Sequence, residues 1–483
     1  MLQASRSALT RKRVLGSAFV GTTIEWYDFY LYGTAAALIF STQFFPQGSA
    51  LGGILASFAT FAIAFFFRPI GGIIAGHLGD RIGRKSLLVI SLLTMGVATT
   101  GIGLLPAFSV GGWFTVVALI VLRLAQGLSA GAEWGGSALL SVEHAPAQHR
   151  GFFGSFTQIG SAAGMLLATS AFAGTRAAVG EQAFLVWGWR LPFLASAVLV
   201  AVGLWIRLGV KDAPEFAELR ASENTAHAPV REVLRHHRRG VLVAIGQRLV
   251  QPAIYSILTV YTLTYVSAKR GDAGSVLAAV LICSALGLLS GPFWGNLSDR
   301  WGRGRISLIS AALGGVLVWP YFVFLDSGPL ALLPLVYILA MNGIHDSIYG
   351  PQAAWFAEQF PVHVRYSGVS LGYQVGTILS GGLTPFIAAG LLALGGNAPW
   401  LICAYISVLA VVSVISAVAA ADPVGDARRA GLSLDADAPT GAAPVAVPTA
   451  TATMTTETPE TAETTETETA ETETAETKGY SRA

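Results

Sequence analysis

Apolar residues in this chain gather in long runs instead of alternating with polar ones. Twelve runs of about 20 residues, the length a helix needs to cross a bilayer core, fall at 15–40, 51–76, 86–106, 113–135, 151–174, 189–209, 240–267, 274–296, 305–325, 330–352, 366–392 and 398–420. Short connections holding Gly, Pro or charge separate most of them, as in Phe45-Pro46-Gln47-Gly48. Alternating strands of the kind that build membrane barrels do not occur, and an open sheet would leave backbone groups unsatisfied in lipid. The pattern predicts an all-α membrane protein with twelve transmembrane helices. Arg11-Lys12-Arg13 ahead of the first run has the look of a secretory leader. That run is long, contains Glu25 and Asp28 and has no small-residue cleavage site, so it predicts the first transmembrane helix.

Composition narrows the class. Of 483 residues, 53% are hydrophobic and 12% charged, against about 25% charged in a soluble domain. A soluble enzyme and a nucleic-acid binder are excluded. Cys283 and Cys403 both lie in apolar runs and offer neither a disulfide framework nor a metal spacing. The formal net charge of +2 hides an asymmetry, because residues 422–483 hold 12 acidic and 4 basic side chains and residues 1–421 carry +10. With the N-terminus inside, both tails and the even-numbered loops hold 23 Lys/Arg; the outer side holds Arg176, Arg190, Lys269 and Arg270. That bias places both termini in the cytoplasm.

Residues 1–14 then form a cytoplasmic tail, 15–209 and 240–421 two six-helix halves, and 210–239 a linker in which residues 230–239 read as a basic amphipathic helix or a solvated connection. Residues 422–483 are Pro/Ala-rich and then a Thr/Glu/Ala repeat that buries no core, so disorder is expected there.

An internal repeat links the halves. Glu143-x-x-Pro146-x-x-x-Arg150 recurs as Glu358-x-x-Pro361-x-x-x-Arg365. Gly79-Asp80-Arg81-Ile82-Gly83-Arg84-Lys85 is echoed by Ser298-Asp299-Arg300-Trp301-Gly302-Arg303. Paired six-helix halves are the sequence sign of an alternating-access transporter with a site between the halves. The Asp-Arg-x-Gly-Arg loop between helices 2 and 3, repeated after helix 8, resembles the signature of the major facilitator superfamily over residues 14–421. Glu25-Trp26-Tyr27-Asp28-Phe29-Tyr30, Arg68-Pro69-Ile70-Gly71-Gly72, Gly131-Ala132-Glu133-Trp134-Gly135-Gly136 and Gly188-Trp189-Arg190-Leu191-Pro192-Phe193 resemble its metabolite:proton symporter family. The Gly-Pro-x-x-Gly-Gly stretch of drug:proton antiporters does not occur in helix 5, which reads Gln158-Ile159-Gly160-Ser161-Ala162-Ala163-Gly164.

The resemblance implies uptake of a small carboxylate-bearing metabolite with protons, in a bacterial plasma membrane, by a monomer without cofactor or metal. A shikimate-like hydroxy acid is the first expectation, and other organic acids and betaines remain open. It further implies a cytoplasmic latch that steadies the outward-facing state. Asp80, Arg81, Arg84, Lys85, Glu143 and Arg150 would form it in the first half, and Asp299, Arg300, Arg303, Glu358 and Arg365 in the second.

Ionisable groups inside the bilayer cost about 2.5–3.5 kcal/mol on insertion scales and need a partner or a wet cavity. Glu25 and Asp28 share one face of helix 1, which Tyr32 continues as an expected substrate contact. Arg123 in helix 4 is expected at the depth of Asp28, with Glu133 nearer the cytoplasm. An Asp28–Arg123 pair broken by protonation is the expected coupling device, with Glu25 and Glu133 as alternative carriers. Such a pair resembles the helix 1 acid and helix 4 arginine of related symporters. On helix 7, Arg248, Gln251, Tyr255, Thr259 and Thr262 form a polar stripe that does not belong against lipid. Arg248 is expected to hold a substrate carboxylate through two parallel hydrogen bonds. His345, Asp346, Tyr373 and Gln374 would meet hydroxyls or a ring. Arg68 beside Pro69 is expected to snorkel or support the gate.

Other signals carry less. Gly127-Leu128-Ser129-Ala130-Gly131 fits the hydrolase pattern G-x-S-x-G but lies inside a predicted span. No phosphate-binding loop of the G-x-x-x-x-G-K-[ST] type is present, so ATP is not the expected energy source. A rival reading keeps the fold and makes the protein a metabolite sensor that moves nothing.

Overall fold

Several helices in this protein run past the apolar stretches that predict them. Hydropathy marks the part that meets lipid, whereas the backbone ladder continues until a cap, a glycine or a proline ends it. The second helix, expected over 51–76, runs Ala50–Ile82, and the eighth, expected over 274–296, runs Ala273–Trp301. The computed structural model describes residues 2–45, 49–82, 84–131, 138–139, 141–142, 145–208, 229–361, 364–422, 425–426, 432–433 and 447–448.

Twelve helices make two six-helix bundles. The first holds α1 (Leu2–Ala35), α2 (Ala50–Ile82), α3 (Arg84–Leu104), α4 (Trp113–Gly131), α5 (Arg150–Val179) and α6 (Arg190–Leu208). The second holds α7 (Arg238–Arg270), α8 (Ala273–Trp301), α9 (Arg303–Ser327), α10 (Leu330–Glu358), α11 (Arg365–Leu394) and α12 (Trp400–Ala419). Among the described residues, nine of these are long and apolar enough to cross a bilayer alone. A tenth crossing joins Glu181–Gly188 to Arg190–Trp205 across a 58° bend. Of the remaining two, α1 carries Glu25, Asp28 and a basic start, and α3 contributes the shorter apolar stretch Val89–Leu104.

Polarity is arranged for lipid outside. Val97, Val117, Trp205, Val323 and Val418 are exposed, whereas Asp28, Arg123, Arg248, Arg303 and Asp346 are buried. Of these nine spans the most enclosed is α7, 83% buried where the other eight are 33–44%, which puts its polar stripe at the centre of the molecule.

Several lines of contact join the halves, α10 on α5 among them, where Gly154 faces Ala353 and Ala354. At the end that carries the N-terminus, α5 lies on α8 with Gly151 facing Gly295; a Cβ on either glycine would fall 2.6 Å from the other's carbonyl oxygen. At the opposite end α7 meets α1, where Thr264 Oγ1 donates to Ala37 O at 3.0 Å. A π-helical turn lies on each side of this contact, Ala36–Phe40 directly after α1 and Ile257–Tyr261 within α7. Between them α2 packs on α11, with Phe65 against Gly382.

A short helix, Pro229–His236, occupies the predicted amphipathic part of the linker. It buries Val233 among Val241, Phe356 and Phe360 and leaves Leu234 exposed. Past 426, the described part of the tail is one antiparallel pair of two-residue strands, Leu432–Ser433 with Val447–Pro448.

Candidate functional site

The seventh helix, expected to be continuous, is interrupted at Arg248. A turn at 248–249 separates Arg238–Gln247 from Val250–Ser256. Pro252 has no N–H to return to the carbonyl four residues earlier, and that carbonyl, of Arg248, accepts from Ser380 Oγ of α11 at 3.4 Å. The break sits where the Arg248 side chain enters the core.

All five residues of the stripe, from Arg248 to Thr262, are buried. Arg248 Nε donates to Thr377 Oγ1 at 3.0 Å, and Nη1 donates to the amide oxygens of Gln251 and Gln352. Its guanidinium lies 3.8 Å from the ring centre of Tyr373 and 5.6 Å from that of Tyr349. Among the described residues no carboxylate lies within 4.0 Å of it. Gln374, expected to meet substrate hydroxyls or a ring, is buried with Oε1 making no hydrogen bond.

A second cluster adjoins the first. Gln251 Nε2 meets His345 Nε2, and His345 Nδ1 lies 2.8 Å from Asp346 Oδ1. Asp346 Oδ2 accepts from Ser290 Oγ and, at 2.9 Å, from Asn342 Nδ2. Tyr255 stacks on His345 with ring centres 4.7 Å apart. Tyr255 in turn packs against Trp26 and Tyr30 of α1, at 5.9 and 5.5 Å, so the two halves meet here through aromatic faces.

In the first half the expected Asp28–Arg123 contact is not made. Both side chains face one small cavity with Glu25, Arg68 and Gln126, but the Arg123 fork is already filled. Its Nε and Nη2 donate to the α2 carbonyls of Thr60 and Phe61, at 3.1 and 2.9 Å, and Nη1 donates to Gln126 Oε1 at 2.7 Å. Asp28 Oδ1 accepts from Ser196 Oγ at 3.3 Å, while Oδ2 is left without a hydrogen bond. Tyr32, expected at the substrate, donates its hydroxyl to Thr60 Oγ1 at 2.7 Å and lies under the Arg123 guanidinium at 3.7 Å. Arg68 does not snorkel. It is buried over the Phe65 ring, with Nη2 3.6 Å from Glu25 Oε1.

The second-half latch residues come together at the N-terminal end of the bundle. Arg303 pairs with Asp299 at 2.7 Å and with Glu358. Asp299 also accepts the backbone N–H groups of Gly151 and Phe152, at 2.8 and 2.9 Å. A carboxylate of one half thus caps a helix of the other, favourably placed at the positive end of its dipole. Arg150 lies in the field of Glu358 and Asp299, and Arg365 Nε donates to Phe360 O at 3.3 Å. Arg300 is the expected latch member that stays out. One residue on from Asp299 along a helix, it turns about 100° away and is exposed. Glu133, Glu143 and the side chains of Asp80, Arg81, Arg84 and Lys85 lie outside the described residues.

Residues 18–373 match the Major Facilitator Superfamily profile. The chain belongs to the Major Facilitator Superfamily. It is 40% identical over 385 residues to the shikimate transporter of Escherichia coli (strain K12), covering 79% of this chain and 88% of that one. It is 30% identical over 417 residues to the proline/betaine transporter of the same strain, covering 84% and 83%. The crystal structure of a D-xylose-proton symporter superposes with a TM-score of 0.65 at 18% identity, covering 84% of this chain and 96% of that one, a likeness of fold. As a facilitator-superfamily member the protein is a multi-pass membrane transporter and not an enzyme.

Sequence reasoning missed several residues of the facilitator's core. Gln352 and Thr377 both hold Arg248, and Ser290 and Asn342 both hold Asp346. Helical spacing contained part of that signal. Asn342 precedes Asp346 by four, Tyr349 and Gln352 follow His345 by four and seven, and Thr377 follows Tyr373 by four, so each shares a face with a residue already singled out. Asp422 was missed for another reason. Its carboxylate accepts from Gly304 N and Gly425 N, both at 3.2 Å, in a segment whose composition points only to a tail.

Proposed function

We propose that this protein imports a small carboxylate-bearing metabolite, a shikimate-like hydroxy acid, together with protons, by alternating access across a bacterial plasma membrane with both termini in the cytoplasm. One observation carries the reading. Arg248 is enclosed at the centre of the molecule with its donors on neutral groups only. A buried guanidinium held by amide oxygens, a hydroxyl and ring faces is ready to exchange one of those weaker partners for a carboxylate, which accepts two parallel N–H bonds. The amides of Gln251 and Gln352 and the nearby His345 suit the hydroxyls of such an acid. The 40% identical relative named a shikimate transporter supports the substrate class.

Asp28 is the proton carrier in this reading. Its Oδ2 has no hydrogen bond to lose on taking a proton, and Arg123 and Arg68 border the same cavity. Release of the Asp299 cap from α5 opens the cytoplasmic side.

A second reading has a specific observation behind it. Trp26, Tyr30, Tyr255 and Tyr349 form a continuous aromatic wall near Arg248, and such walls bind quaternary ammonium groups. A betaine would set its carboxylate on Arg248 and its cation on that wall, as the proline/betaine relative suggests.

The deciding experiment is uptake by proteoliposomes of the purified full chain. Labelled shikimate should accumulate under an inward proton gradient, and a protonophore should abolish the accumulation. Accumulation of glycine betaine and not shikimate would install the second reading. Saturable binding of either compound with no flux would leave a sensor.

A further inference from the structure

We propose that His345 is a proton-binding residue that controls Arg248 through the side-chain amide of Gln251. The inference rests on the reading of Arg248 as the group that holds a substrate anion.

The orientation of the Gln251 amide follows from chemistry. Arg248 has donors only, so the Gln251 atom that faces it is the amide oxygen. The NH2 group of Gln251 therefore faces His345, and His345 Nε2 accepts from it. The ring proton is then on Nδ1, donated to Asp346 Oδ1. Asp346 is itself fixed by Ser290 and Asn342, so it holds the ring in place. In the arrangement seen, His345 is neutral.

A proton taken up from water at Nε2 cannot coexist with that arrangement, because two donors would face each other. The Gln251 amide must turn over and offer its oxygen to His345. Its NH2 then faces Arg248, which loses one acceptor and needs another. A substrate carboxylate supplies it and also offsets the second positive charge. Proton binding at His345 and anion binding at Arg248 therefore favour each other, and the coupling is reciprocal. Among the described residues, the ionisable groups around His345 are Arg248 and Tyr255 of α7, Cys283 of α8, Asp346 and Tyr349 of α10 and Tyr373 of α11, with Arg68 and Glu25 of the first half acting on Arg248 and Tyr373. No charged group of α9 reaches this cluster among the described residues. Asp346 is the acid in contact with His345, through Nδ1.

The test is nitrogen NMR on the full chain in lipid nanodiscs, with 15N in His and Arg and no substrate present. His345→Asn and Arg248→Lys assign the signals. Near about pH 8 the His345 proton should sit on Nδ1. On acidification to about pH 5 Nε2 should gain a proton, and the Arg248 Nη signals should shift in step. Gln251→Leu, or Gln251→Met if that variant does not fold, should leave Arg248 unmoved while His345 still titrates. A neutral form protonated on Nε2, no titration of His345, or an Arg248 signal that ignores it would overturn the proposal. So would an equal Arg248 response in the Gln251 variants.

A second arm measures shikimate affinity against pH. The dissociation constant should fall by up to about tenfold per pH unit as His345 takes its proton, and the Gln251 variants should flatten that slope. Wild-type binding that ignores pH would overturn the coupling. If shikimate does not bind while the tautomer and the joint titration hold, the substrate reading fails and the proton switch stands.

Discussion

The carboxylate of Asp299, at the end of α8, accepts the backbone N–H of Gly151, at the start of α5, at 2.8 Å. One half of the molecule thereby supplies the helix cap of the other. Removing a cap of this kind costs about 0.5–2 kcal/mol, and here the loss falls on the boundary that parts in the proposed transport cycle. Asp299→Ala should lower the midpoint of thermal unfolding and lengthen the distance between spin labels on the facing ends of α5 and α8. Unchanged label distances in a folded variant would remove Asp299 from the latch.

Gly295→Ala tests the same boundary by volume. The added methyl would lie 2.6 Å from Gly151 O, a backbone atom that cannot turn aside. Overpacking of this kind costs about 1–3 kcal/mol. The expected outcome is the same separation of α5 and α8, with Asp299 and Arg303 intact. Measuring both variants separates loss of the cap from loss of the close approach.

Arg248→Lys keeps the charge and removes the planar fork. A lysine cannot hold Thr377 and two amide oxygens together, nor bind a carboxylate through two parallel bonds. Charge-assisted hydrogen bonds are worth about 1.5–3 kcal/mol, so shikimate affinity should fall by about 10- to 100-fold. Direct binding to purified protein reads this. An unchanged constant would move the anion elsewhere.

Asp28→Asn removes a titratable group whose Oδ2 has no partner. Exchange of labelled for unlabelled substrate should continue, while accumulation against a gradient should stop. Accumulation at the wild-type level would pass the proton-carrying role to Glu25 or Glu133.

In the connection between α7 and α8, Asp272 caps α8 by accepting Ser275 N at 2.9 Å and Ser275 Oγ. Those bonds hold its carboxyl below the usual range. Its stabilising effect is present above the unfolded pKa and is lost as pH falls through the lower folded value. Asp272→Ala should therefore lower the unfolding midpoint near neutral pH, and the difference from wild type should shrink in acid.

The twelve spans were legible because a bilayer imposes one length on every apolar run. The charge cluster of the second half was legible because acids and bases recur at repeated spacing, and Asp299, Arg303 and Glu358 do meet. Partners were harder to read. Asp28 and Arg123 share a cavity, as depth along their helices suggests, yet Arg123 takes its acceptors from α2 carbonyls that no side-chain pattern reveals. The same limit hid the Arg68–Glu25 approach. Pro252 was visible in the sequence, but its effect on the Arg248 carbonyl depends on Ser380, 128 residues later in the chain.

The chain leaves its last membrane helix stitched to the second bundle. Ala421 O accepts from Trp355 Nε1 and Gln359 Nε2, at 3.0 and 2.9 Å, and Asp422 accepts from Gly304 N beside Arg303. A force or a bulky fusion applied after this point is felt first at the roots of α9 and α10, where Arg303 and Glu358 stand. A protein fused directly after Asp422 for purification or imaging is therefore an experiment on the Arg303–Glu358 pair, and the same measurements on unfused protein are its control.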